Sequence, residues 1–172
     1  ARRVNTELTT GDGTGDLFGI VAVWAAGKTS ASTTAFTADE IIDLLHSVDP
    51  AYRASPKARF MFNDTTLGSI RKLKQGDGSY LWTMGDIREG VPGRLLGVPY
   101  SINQAMVNAA TGTKPIVFGD FGKYLIRDVM DVTIFRMVDS AFTLKGQVGF
   151  VAFARSGANM VDNGAAIRSY AN

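Results

Sequence analysis

The sequence predicts an α+β fold from three local patterns. Thr37 and Glu40 have the spacing of a capping box, and apolar residues follow them at helical intervals. Two short apolar runs flank the segment Gly119-Asp120-Phe121-Gly122, which predicts strand, tight turn and strand. Apolar and polar residues then alternate from Phe142 to Arg155, as in a long strand. The chain is therefore expected to contain both helices and strands.

Composition limits the classes of function. The 172 residues are 45% apolar and 20% charged, which is ordinary for a globular domain. No apolar run approaches the roughly 20 residues of a membrane span, so we expect no membrane partner. The chain has no cysteine and one histidine, His46, so we expect no disulfide, thiolate nucleophile, metal site or cofactor. The net charge of +2 is too small to indicate nucleic acid.

Glycines near the N-terminus permit a phosphate-loop interpretation. Residues 1–8 are expected to end a helix, with Gly11 as its stop signal, and Gly13, Gly15 and Gly19 follow. A dinucleotide site would need a strand before these glycines and a helix after them, and the pattern offers neither. The segment 26–29, AGKT, also lacks a phosphate loop's first glycine, because that position is Ala22. We therefore expect no nucleotide binding.

The middle of the chain alternates helix and strand. We expect a helix from Thr37 to about Ser47, a buried strand over 58–62, and a second helix capped by Asn63 or Asp64 and running to about Lys74. A long mobile loop is expected from Gln75 to Gly93, with 80–84 as its one strand candidate.

The remaining strands are expected after this loop. Pro99, in the run 95–100, favours an edge or strand-end position. The strand over 142–155 would reach roughly 45 Å, which suggests an elongated hairpin with the preceding run 132–136. Turns are predicted at Gly157 and Asn159, and again at Asn163-Gly164.

Five segments, in this order, resemble motifs of the major capsid protein family of tailed bacteriophages, whose subunit has the HK97 fold. They are Gly11 to Thr14 with Gly19 and Ile20; Leu73, Lys74, Gly78, Tyr80 and Leu81; Leu95 to Tyr100, which resembles a single strand of the family; Phe118 to Phe121 with Tyr124, Ile126 and Asp128; and Phe150, Ala152 and Arg155.

This resemblance implies an axial domain of mixed sheet flanked by helices, over 18–128, joined to the long strands of a peripheral domain over 129–158. Residues 1–17 would end a peripheral helix and form a linker, and 159–172 would return to the axial domain. The loop would lie at a ring axis, with subunit contacts through Gly76, Asp77, Gly78, Arg88 and Glu89. The residues expected to have structural roles are Gly11, Gly13, Gly19, Gly97, Pro99, Gly119, Asp120, Phe121 and Arg155.

The implied function is architectural. The chain would be a structural subunit of an icosahedral capsid, assembling with copies of itself into pentamer and hexamer rings that enclose double-stranded DNA. Assembly would take place in the host bacterial cytoplasm, with scaffold, protease or portal proteins as further possible partners and packaged DNA as an indirect one. One alternative is a protein- or nucleic-acid-binding module that uses the loop 75–93. Another is an enzyme, for which Asp120 and Glu89 are candidate acids without a partner base.

The family's N-terminal arm, extended loop and long helix are expected to precede Ala1. The isolated chain is then expected to be a monomer or small oligomer. The lysine used in some members' covalent cross-links would also lie before Ala1, and no asparagine occurs near Lys145-Gly146, so no cross-link is expected.

Overall fold

A computed structural model describes residues 2–21, 25–30, 32, 35–74, 76, 78–80, 94–162 and 165–172. The helices are α1 (Arg2–Thr10), α2 (Ala38–Ser47), α3 (Pro50–Arg53), α4 (Asp64–Arg71) and α5 (Ser140–Thr143). The strands are β1 (Ala26–Thr29), β2 (Ala58–Phe62), β3 (Arg94–Leu95), β4 (Val98–Ile102), β5 (Ile116–Asp120), β6 (Tyr124–Met137), β7 (Gly149–Met160) and β8 (Ile167–Ala171).

Six strands form one mixed sheet in the order β1-β8-β5-β2-β4-β3. The pairs β1/β8 and β2/β4 are parallel, and the other neighbours are antiparallel. Strands β6 and β7 pair only with each other, as a long antiparallel ribbon whose register shifts between Asp128 and Thr133. We call residues 124–162 the ribbon, which comprises β6, the connecting residues 138–148, β7 and the two residues after it, and we call the rest of the described chain the body.

The core lies on both faces of the six-stranded sheet. On one face, α2 and α4 cover the central strands, and the rings of Phe60 and Phe118 lie 4.5 Å apart, centroid to centroid. On the other face, a second cluster contains Ile20, Val117 and Ile167. The sheet's two faces are thus both covered, which explains why β5 is buried at all five positions.

The predicted helix starts are confirmed. Thr37 Oγ1 accepts from the Glu40 amide at 3.3 Å, and a Glu40 carboxylate oxygen accepts from the Thr37 amide at 3.0 Å. Asn63 caps α4 by accepting from the amide of Thr65. Helix α4 ends at Arg71 rather than near Lys74, because Lys74 leaves the helix to pair with Tyr80 in an isolated β-bridge.

The segment 95–100 is a hairpin, so the prediction of one strand is wrong. Strands β3 and β4 pair across a turn at Leu96 and Gly97, both of which have positive φ, 51° and 78°. Pro99 is the second residue of β4, where it lies opposite Arg94, near the strand end as expected. The resemblance to a family motif could not reveal a turn in which leucine adopts a left-handed conformation.

The strand predicted over 142–155 has both limits wrong, because the observed strand begins later and ends later. Phe142 lies in α5, where the Asp139 carbonyl accepts from the amides of Phe142 and Thr143. Strand β7 begins at Gly149 and continues to Met160, so Gly157 and Asn159 are strand residues and not turns. The elongated hairpin itself is present as the ribbon. Residues 163 and 164 lie outside the described part of the chain.

Candidate assembly surface

The ribbon exposes large apolar side chains along most of its length. Ile134 is 65% exposed, Phe150 67% and Phe153 61%. A two-stranded hairpin is marginally stable by itself in water, and large exposed apolar patches on folded proteins mark interaction sites. The ribbon is therefore the strongest candidate for a functional surface in the described residues.

Both faces of the ribbon carry this apolar surface. Paired residues project to the same side, so Phe135 and Val151 share one face, where the Phe135 ring meets the Phe153 ring edge-on at 5.9 Å. Ile134 pairs with Ala152 on the other face, as does Arg136 with Phe150. Because the exposed aromatic rings lie on opposite sides, one covering element could not bury them all.

The base of the ribbon is fixed to the body by hydrogen bonds. The Tyr124 hydroxyl lies 2.6 Å from the Phe18 carbonyl oxygen, to which it donates, and 3.3 Å from that of Leu8. On the other strand, the Tyr52 hydroxyl donates to the Asp162 carboxylate, two residues after β7 ends. Burial raises the pKa of Tyr124 to about 12, and the hydrogen bond to Asp162 raises the pKa of Tyr52.

The residues Gly119, Asp120 and Phe121 direct the chain from the sheet into the ribbon. A Cβ on Gly119 would lie 2.1 Å from the Ala166 carbonyl oxygen, so no side chain fits there. The Asp120 carboxylate accepts from the Gly122 amide at 2.9 Å, and Phe121 begins a single 3-10 turn before β6. This turn joins β5 to β6, but the two strands belong to different sheets and do not pair with each other as a hairpin would.

The N-terminal glycines allow the loop after α1 to pack closely against the end of that helix. The Gly19 amide donates to the Gly11 carbonyl at 2.8 Å, and a Cβ on either glycine would lie within 2.7 Å of backbone atoms. Gly13 has a φ of 81° and lies against the Phe18 ring. Helix α1 ends at Thr10, as expected from the stop signal at Gly11.

The other predicted site residues are not brought together with these. Arg155 is exposed on β7, opposite Met130 in the shifted register. Gly76 and Gly78 lie between Lys74 and Tyr80, whose side chains approach each other with the ammonium 5.3 Å from the ring centroid. The predicted contact residues Asp77, Arg88 and Glu89 lie outside the described residues, as does Ala22.

The segment AGKT lies in strand β1, with Lys28 Nζ 2.6 Å from the Asp43 carboxylate.

A second apolar surface, which no sequence pattern predicted, lies near the β3–β4 turn. A cavity of about 220 Å³ there is lined chiefly by Ile41, Ile42, Ile70, Leu73, Leu95 and Leu96.

The part of the chain that the structure describes offers neither a metal-binding cluster nor a membrane-spanning helix. It contains no group of three or more His, Cys, Asp or Glu side chains that could hold a metal ion. None of its helices is both long and apolar enough to cross a membrane. His46 is exposed, and its Nδ1 accepts from the Arg53 guanidinium at 3.0 Å.

Comparison with protein families finds the "Phage capsid family", whose model matches residues 1–169. Two solved structures, titled "Capsid of empty GTA particle computed with C5 symmetry" and "Capsid of native GTA particle computed with C5 symmetry", are 31% and 30% identical to this chain, with TM-scores of 0.79 and 0.80. Each match covers 98% of this chain and 60% of the other.

A third structure, "Gordonia phage Cozz", shares the fold at 14% identity, with a TM-score of 0.62 over 99% of this chain and 58% of that one. The chain thus spans about 60% of the length of the solved structures it matches. A search of curated proteins gave no match.

Proposed function

The chain belongs to the phage capsid family, and from this premise we propose that it is a structural subunit of an icosahedral shell that encloses double-stranded DNA. Its fold is the α+β, HK97-like fold predicted from the motifs, as the matched capsid structures show. Family and structural neighbours indicate a structural protein, and we extend this to the absence of a catalytic role.

The observation that carries the proposal is the apolar surface on both faces of the ribbon. A subunit in a closed shell has neighbours on several sides, so copies of the chain could cover both faces at once. We propose that residues 129–158, which make up most of the ribbon, belong to a peripheral domain and that 18–128 form the axial domain. Residues 1–17 would end a peripheral helix and form a linker, and 159–172 would return to the axial domain. The register shifts between Asp128 and Thr133, beside the proposed boundary, support this division.

We place the loop 75–93 at the axis of a subunit ring, with contacts through Gly76, Asp77, Gly78, Arg88 and Glu89. Its glycine-rich and charged sequence supports an irregular segment, and the bridge between Lys74 and Tyr80 closes its start. The matched GTA capsids were computed with C5 symmetry, which supports rings of five. Scaffold, protease and portal proteins are proposed as further partners, with assembly in the host cytoplasm.

Electron microscopy of the complete reading frame tests the proposal. We expect closed shells or capsomer rings from the unaltered protein. Ile134→Asp places a charge on the ribbon and should abolish them while the subunit stays folded. Val107→Asp, at an exposed site in the body, is the matched control and should assemble. Failure of the unaltered protein to form shells or rings, or normal shells from Ile134→Asp, would contradict the proposal.

A further inference from the structure

Two tyrosine hydroxyls hold the two strands of the ribbon at its base. Tyr124, the first residue of β6, donates to the carbonyl of Phe18, which lies in the loop after α1. Tyr52, in α3, donates to Asp162, which follows the end of β7. The incoming and outgoing strands are thus attached to two different parts of the body.

The contacts between the ribbon and the body end within a few residues of this base. Tyr124 pairs with Met160, which is buried, and the Val161 amide donates to the Lys123 carbonyl at 3.0 Å. The next residues outward on β6, Leu125 and Ile126, are already more than half exposed. The direction of the whole ribbon is therefore determined by contacts within a few residues of its base.

We propose that Tyr52 and Tyr124 are positioning residues, whose hydroxyl groups fix the direction in which the ribbon leaves the body and so the orientation of the assembly surface. This inference rests on the proposed function for its biological meaning. A rod attached at one point can rotate about it, whereas attachments on both strands restrict that rotation. Hydrogen bonds suit the role because their strength depends on angle, unlike the packing of apolar rings.

The packing of both rings supports a separate role for the hydroxyls. Tyr52 packs against the apolar clusters on both faces of the sheet, and Tyr124 packs against the second cluster. A phenylalanine at either position would keep that ring packing and lose only the hydroxyl bond. A tyrosine hydroxyl is protonated, and therefore able to donate, throughout the neutral range, and the raised pKa of each of these two extends that ability to higher pH.

Distance measurements between spin labels test the proposal directly. The chain contains no cysteine, so Ser69→Cys on α4 and Gln147→Cys at the ribbon tip provide two unique labelling sites. We expect the double variant Tyr52→Phe/Tyr124→Phe to broaden the label-to-label distance distribution by about twofold, because the ribbon then samples more directions. Tyr100→Phe removes a hydroxyl that bonds Arg71, remote from the ribbon, and should leave the width unchanged.

A second series separates positioning from general destabilisation. Asp162→Asn retains an oxygen acceptor for Tyr52 and should keep the narrow distribution, whereas Asp162→Ala should broaden it. An unchanged width of the distance distribution in the double variant would overturn the proposal. If the double variant does not fold, an unchanged width in Asp162→Ala would overturn it. Equal broadening in Tyr100→Phe would do the same. The measurement needs no assembled shell, so its result is independent of whether the chain builds one.

Discussion

The Tyr170 hydroxyl donates a hydrogen bond of 2.9 Å to the Glu40 carboxylate, which joins the last strand to the second helix. Both residues are buried, and the same carboxylate oxygen accepts from the Thr37 amide. Glu40 therefore completes the cap of α2 and also holds that helix against β8. The sequence predicted the cap, but only the tertiary structure brings the tyrosine to it.

Tyr170→Phe is expected to lower the free energy of unfolding by about 1 to 3 kcal/mol, because a buried hydrogen bond to a carboxylate is lost. Urea denaturation at neutral pH measures the change. Tyr80→Phe, at a side chain that is 56% exposed, is the matched control and should change stability little. A Tyr170→Phe protein as stable as the wild type would show that the bond contributes nothing.

Stability at alkaline pH should also depend on Tyr170. Burial, as the largest cause, raises its pKa from 10 to about 12 in the folded protein. The unfolded chain therefore loses this proton first, so the stabilisation is complete below pH 10 and is lost as pH rises from about 10 to 12. Tyr170→Phe should reduce the decline of the urea midpoint between pH 9.5 and 11.5. An identical decline in both proteins would contradict this expectation.

Local patterns predicted the elements that depend on local interactions. The caps at Thr37 and Asn63 depend on neighbours within a few residues, and both are confirmed. The strand 58–62 is confirmed as well, although its partners in the sheet are distant in the chain. The ribbon's limits were mistaken because the alternation around Phe142 continues through a helical turn that the Asp139 carbonyl closes.

Sequence patterns could not predict the order of the strands or the hydrogen bonds that anchor the ribbon. Strand β5 pairs with β2 and β8, which are distant in the chain, so its neighbours follow from the packing of the whole sheet. The Tyr52–Asp162 contact spans 110 residues and leaves no local signal. The motif at Gly119 and Asp120 was recognisable, but its close approach to Ala166 was not.

Gly119→Ala should destabilise the protein strongly, by about 3 kcal/mol or more, because the new Cβ would overlap the Ala166 carbonyl and force β5 away from β8. Gly68→Ala makes the same chemical change in α4, where no atom lies within 4 Å of the added Cβ. It should stabilise by about 0.5 to 1 kcal/mol, because glycine is unfavourable inside a helix. Thermal and urea unfolding of the pair would measure both effects, and equal effects would refute the steric explanation.

The ribbon should exchange its backbone amides faster than the six-stranded sheet. Opening the ribbon exposes little additional apolar surface, because residues such as Ile134 and Phe150 already face water. Amides of β5, between two strands and buried on both faces, require a much larger opening. We expect protection in the ribbon to be lower by about two orders of magnitude or more, measured by hydrogen exchange at neutral pH. Equal protection in the ribbon and in β5 would contradict the expectation.

The same apolar surface should govern how the 172-residue chain associates in solution. We expect a monomer in equilibrium with small, weakly held oligomers, because exposed aromatic rings such as Phe150 and Phe153 favour contact between ribbons. Light scattering over a concentration series should show a mass that rises with concentration. Phe150→Ser should shift this rise in mass to higher concentration, because the substitution removes apolar surface from the ribbon. Val107→Ser, in the body, should leave the rise at the concentration seen for the wild type. Megadalton shells formed by this chain alone would contradict the expected small oligomers. A Phe150→Ser protein that associates like the wild type would show that the ribbon does not control association.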